Sequence, residues 1–166
     1  MLNLPFPVRD ANASSGNKNL GQLPEWDLSD LYTSDTAPEL TRDLDWLHKA
    51  CADFAADYEG KLATLDAAGL LECIRRDEAI STTAGRIMSY AGLRYYQLTT
   101  DGGRAKFMSD CQEKVTNSTT PLVFFSLELN RLDEGALTAM YAENADLARY
   151  KPVLDRIRAM KPSAFG

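Results

Sequence analysis

Apolar positions recur at helical spacing along most of the chain. Leu40, Leu44, Leu47, Cys51, Phe54 and Tyr58 follow one another in steps of four, three, four, three and four. A stripe of that kind lies on one face of an α-helix and points at a single core. Thr36-Ala37-Pro38-Glu39 precedes it and fits a capping box, with Thr36 as N-cap and Glu39 reaching back from the third helical position. Gly60 is placed to end this helix. Asp66 is placed to cap a second helix, which Leu70 and Ile74 open and Ile80, Ala84, Ile87, Ala91, Arg94 and Leu98 continue. The polar run Arg75-Arg76-Asp77-Glu78 interrupts that track and marks a candidate break into two helices. Thr99 to Gly103 reads as a turn by composition.

A third stripe runs through Phe107, Cys111, Val115, Ser118, Leu122, Phe125, Leu129 and Leu132. Pro121 lies within it. Proline removes one backbone donor and clashes with the preceding turn, at roughly 3 kcal/mol in a regular helix interior. The pattern therefore predicts a kink or break near Asn117 to Thr120, where polar side chains can satisfy the freed carbonyls. Two shorter helices follow. Asp133 caps the first, to about Ala142; the second carries Tyr150, Leu154 and Ile157, has Pro152 near its first turn, and stops before Pro162. No segment of useful length alternates as a strand does. The predicted fold is all-α, an antiparallel bundle of about five to six helices joined by short connections.

Before the first stripe the pattern is different. Residues 8–23 are polar, with Asn, Ser and Gly and little periodicity, and residues 1–23 together predict a flexible leader. Residues 24–35 mix Trp26, Leu28, Leu31 and Tyr32 with acids and predict an extended arm pinned on a neighbouring surface. The predicted helical domain spans residues 24–162, and 163–166 form a tail. Net charge is −6, and Glu25 to Asp45 alone holds seven acids against one base. The rest of the chain sums to zero, without a basic stripe, so neither nucleic acid nor an anionic membrane is an expected partner. The apolar runs are far too short to span a bilayer, and the start does not read as a signal peptide. Three cysteines without paired spacing predict reduced thiols and a cytoplasmic protein.

The candidate chemistry is thin. His48 is the only histidine. As a catalytic base it would need an orienting acid and a nucleophile; Asp45 lies three residues back, but no nucleophile-bearing turn is evident. A surface histidine beside the apolar stripe is the plainer reading. A metal site would need His48 and Cys51, three apart, joined by Cys73 and Cys111 from other helices; Cys51 and Cys111 fall on core stripes, which favours small buried hydrophobes instead. Acids gather at helix starts, where they complement the dipole. No phosphate-binding glycine loop is present. Ser89-Tyr90-Ala91-Gly92-Leu93-Arg94-Tyr95-Tyr96 stands out. Gly85, Ser89 and Gly92 share one helix face and leave a shallow strip, read first as tight helix–helix contact and second as a wall over which a peptide passes. No catalytic, cofactor-binding or metal-ligating residue is assigned.

Trp26-Asp27-Leu28-Ser29-Asp30-Leu31-Tyr32 resembles the opening of the oligoendopeptidase F family of zinc metallopeptidases. Later segments occur in a similar order: Phe54 to Leu62, Ser89 to Asp101, Phe124 to Glu134, and Lys161-Pro162. The resemblance spans about residues 24 to 162. It implies the helical N-terminal domain of such an enzyme, walling the channel in which short peptides are cut. It also implies zinc in the full-length protein, held by a His-Glu-x-x-His helix of a catalytic domain. A chain with one histidine cannot supply that motif, and Ser163-Ala164-Phe165-Gly166 departs from the expected continuation. The expected partners are that missing catalytic domain or a second copy of the chain, with short peptides as substrates of the whole enzyme. The alternative is a stand-alone module for self-association.

Overall fold

The computed structural model describes residues 25–159. The predicted leader, the tail and Lys161-Pro162 lie outside them. Within them the chain is all-α, and no strand occurs. The helices are α1 (Pro38–Tyr58), α2 (Ala67–Gln97), α3 (Gly102–Thr119), α4 (Val123–Arg131), α5 (Glu134–Glu143), α6 (Ala145–Ala148) and α7 (Lys151–Ala159). Among the described residues no helix is long and apolar enough to cross a membrane.

The first three helices form the body of the bundle, and side-chain pairs fix their directions. Asp57 meets Arg76 at 2.7 Å and Asp43 meets Arg86 at 3.4 Å, so α1 and α2 run in opposite senses. The Arg104 guanidinium donates to the Arg94 carbonyl, and the Tyr90 and Phe107 rings meet edge to face at 5.9 Å, so α2 and α3 are likewise antiparallel. Phe54, fully buried, sits where α1 meets α4. Its ring contacts Tyr58 at 4.9 Å, Phe125 at 5.5 Å and Phe124 at 5.9 Å. Burying an aromatic side chain contributes up to about 3 kcal/mol, and each ring pair a further ~1 kcal/mol.

Helix ends follow local chemistry. Asp66, Asp101 and Asp133 each accept a backbone N–H three residues on, from Gly69, Arg104 and Ala136. The capping box at α1 is not formed: Ala37 is the N-cap and makes no side-chain bond. Pro38 at the first helical position presets the backbone and has no N–H to satisfy, so the start needs less from Thr36. Gly60 adopts φ +77°, which a side chain would disfavour, and turns the chain after α1. Glu128, on α4, fastens this turn by accepting from the Gly60 N–H at 2.6 Å and the Leu62 N–H at 3.2 Å.

The candidate break at residues 75–78 is absent, and α2 is continuous over 31 residues. Arg and Glu are good helix formers, and the run is polar because it faces partners in other elements. Arg75 pairs with Asp146 at 3.1 Å, Arg76 with Asp57, and Glu78 accepts from the Tyr150 hydroxyl at 2.8 Å. The interruption at Pro121 is present: α3 ends at Thr119 and a short 3₁₀ turn, Thr120–Leu122, leads into α4. The Thr119 and Thr120 hydroxyls donate to the Val115 and Thr116 carbonyls at 2.9 and 2.8 Å. The sequence pattern did not indicate α6, a single turn capped by Asn144. α7 packs on α4, where Arg158 donates to the last carbonyls, Leu129 and Leu132.

Candidate functional site

The arm and the C-terminal half of α2 line a polar cleft of about 460 Å³. Leu28 and Leu31 pack against the core and Tyr32 is buried, while Trp26 remains 57% exposed. The arm is therefore pinned at three of the four predicted positions. Turns hold its shape: Leu31 and Tyr32 N–H groups donate to the Leu28 carbonyl, and Ser29 N–H to the Asp27 carboxylate.

Two carboxylates lock the arm to the bundle. Asp43 on α1 accepts from the Tyr32 hydroxyl at 2.9 Å and pairs with Arg86, whose guanidinium lies 4.5 Å from the Tyr32 ring centroid and also donates to the Leu31 carbonyl. Asp35 accepts from the Tyr90 hydroxyl at 2.9 Å and from Arg94 Nε at 3.1 Å. Gln97 Nε2 donates to the Trp26 carbonyl at 2.7 Å. Burial, reinforced by the Asp35 carboxylate, pushes the Tyr90 hydroxyl up to about 12; burial and Asp43 do the same to Tyr32 more strongly. Both hydroxyls stay protonated donors at neutral pH, and both donate within the chain.

The acidic segment thus has a structural purpose that composition alone did not reveal. Asp35 and Asp43 are receptors for tyrosine and arginine. Tyr90 belongs to the core side of its cluster, and Tyr96, 62% exposed, to the solvent side.

The glycine strip is a correction. Tight helix–helix contact was the first expectation at Gly85, Ser89 and Gly92. A Cβ placed on Gly85 meets nothing within 4 Å, and one on Gly92 meets only Tyr96 of the same helix, at 3.9 Å. Gly85 and Ser89 are exposed. Among the described residues no other element covers the face of α2 that runs through Gly85, Ser89, Gly92 and Tyr96, and it is a low surface there.

His48 is exposed on α1, beside a small groove it shares with Leu44, Lys114 and Asn117. Cys51 and Cys73 are wholly buried and Cys111 nearly so, all three as free thiols. Burial pushes Cys51 up to about 11 and Cys73 to about 12, so neither is a nucleophile near neutrality. The four residues do not converge, and among the described residues no group of three His, Cys, Asp or Glu side chains is arranged to hold a metal ion.

Asp77 was missed as a singular residue. It lies three residues from both Ile74 and Ile80, on the buried side of α2, and that spacing was the available signal. Burial pushes its carboxyl up to about 6. No family model, curated protein or solved structure matches this chain.

Proposed function

We propose that this chain is the helical N-terminal domain of an oligoendopeptidase F-like zinc metallopeptidase, an enzyme of the cytoplasm that hydrolyses short peptides. In this reading the domain walls the substrate channel, contributes no zinc ligand and does not cleave peptides by itself. The ordered segments from Trp26 to Glu134 support the family assignment. The observation that carries the role is the open face of α2. Glycine in an exposed helix interior costs roughly 1 kcal/mol against alanine, and among the described residues no other element comes close enough to Gly85 or Gly92 to require one. A surface kept low at that cost suits a peptide or a second domain passing close to the backbone. Tyr96 stands at the end of this face with its ring available for stacking or hydrogen bonding.

The reading frame beyond Gly166 is the direct test. A His-Glu-x-x-His segment downstream supports the assignment; an unrelated domain overturns it. A second test is incubation of the purified chain with zinc and a quenched peptide. No turnover is expected, and robust cleavage by this chain alone refutes the accessory role.

Self-association is the second reading, and α4 favours it. Val123 and Leu127 stand one turn apart, 61% and 47% exposed. The arm is a poor alternative surface, because Leu28, Leu31 and Tyr32 are already folded in. Light scattering over a dilution series decides: a strict monomer at high concentration eliminates this reading.

A further inference from the structure

α7 packs on α4 and leaves a gap toward α2. The gap is a pocket of about 400 Å³, within the range of small-molecule sites, ~300–1,000 Å³. Ile74, Phe125, Leu154 and Ile157 form its apolar walls, with Val153 half exposed at the rim. Two acids, Asp77 and Glu78, also line it, and among the described residues no basic side chain does. The Glu78 carboxylate accepts from the Tyr150 hydroxyl. Asp77 differs: among the described residues it makes no hydrogen bond and no ion pair.

A carboxylate held against hydrocarbon without a partner is costly, and structures normally compensate it. Ser81 and Thr82 add two neutral hydroxyls to the lining, and neither bonds to Asp77 among the described residues. The Tyr150 hydroxyl is spent on Glu78, so no lining residue supplies a compensating charge. An anion entering the pocket would meet two carboxylates, and a neutral apolar molecule would leave Asp77 uncompensated. A cation with an apolar body satisfies both surfaces, because its ammonium supplies the charge and the donors that Asp77 lacks.

The geometry points to a binding site for a small amphiphilic amine: an alkyl or arylalkyl body against Phe125, Leu154 and Ile157, with its ammonium on the Asp77 carboxylate. Burial holds Asp77 near 6, so the carboxylate is charged at pH 7.5 and the amine is protonated. The site lies apart from the arm-lined cleft and does not depend on the peptidase assignment.

Calorimetric titration of the whole chain at pH 7.5 tests it, with octylammonium, octan-1-ol and octanoate as probes. Octylammonium is expected to saturate one site at least tenfold more tightly than octan-1-ol, and octanoate is expected not to bind. Asp77→Asn keeps the side-chain shape and should bring octylammonium to the octan-1-ol level. Val153→Arg changes an exposed rim position, leaves the core intact, and should weaken octylammonium at least tenfold by setting a cation at the mouth. Equal affinities for amine and alcohol in the native chain overturn the proposal. So does an amine preference that survives Asp77→Asn, or the absence of saturable octylammonium binding.

Discussion

Replacing Asp77 by asparagine removes a charge from the pocket between α2, α4 and α7 and leaves the side-chain outline unchanged. The carboxyl is raised from its ordinary 3.8 to about 6 by burial. Each unit corresponds to about 1.4 kcal/mol, so ionising Asp77 in the folded chain costs at most about 3 kcal/mol. The side chain is partly open to water, and screening reduces this to about 1–2 kcal/mol. The sign follows from which state releases the proton first. The unfolded chain ionises near 3.8 and the folded chain only near 6, so wild-type stability falls as pH rises through this window, and the full penalty applies above it. Asparagine carries no such penalty. Asp77→Asn is therefore expected to be more stable than wild type by about 1–2 kcal/mol at pH 7.5, raising Tm by about 3–6 °C. Roughly two-thirds of that gain should be gone at pH 4.5, where the wild-type carboxyl is protonated in the fold. Thermal unfolding followed by circular dichroism at both pH values measures it. A variant no more stable than wild type at pH 7.5, or an equal gain at the two pH values, refutes the argument.

Asp35→Ala removes the acceptor shared by Tyr90 and Arg94. A cost of about 1–2 kcal/mol to arm docking means opening rises about fivefold to thirtyfold, read as faster proteolysis within residues 25–35 while α2 stays protected. Gly85→Ala and Gly92→Ala should each stabilise the isolated chain by about 0.4–1 kcal/mol, because a methyl meets no described atom at Gly85 and only ordinary van der Waals contact with the Tyr96 ring at Gly92; a lower Tm in either shows that the face is not open. Cys51, Cys73 and Cys111 should all resist a thiol reagent at pH 8 in the folded chain and react together on unfolding; fast labelling of one thiol without unfolding contradicts its placement.

What the sequence made legible was the part governed by local spacing. Leu40, Leu47, Cys51, Phe54 and Tyr58 of the first stripe are buried as their steps predict. Asp66 and Asp133 cap because an aspartate before an apolar run has its N–H partner three residues away. The helix interruption at Pro121 follows from one missing donor. What stayed hidden depends on residues far apart in the chain. Arg75, Arg76 and Glu78 looked like a break because their partners, Asp146, Asp57 and Tyr150, lie in other elements. Asp35 and Asp43 were simply part of the acidic run before and at the start of α1, because the partners they hold, Tyr90 and Arg94 for Asp35 and Tyr32 for Asp43, could not be read from spacing. Glycine spacing identified a low face on α2, but spacing cannot say whether that face is covered. Asp77 carried the helical register of a core position and the chemistry of a surface one, and that conflict was the mark of the pocket.

The Glu128 carboxylate reaches back more than sixty residues to hold two amides of the turn after α1. Closing so long a loop is entropically expensive, so this clasp forms only once α4 has arrived. Until then Gly60 and Leu62 have only water as partner. Their amide protons are consequently built-in reporters of α4 docking: the corner between the first two helices records, in its exchange rate, whether the distant half of the bundle is closed over it.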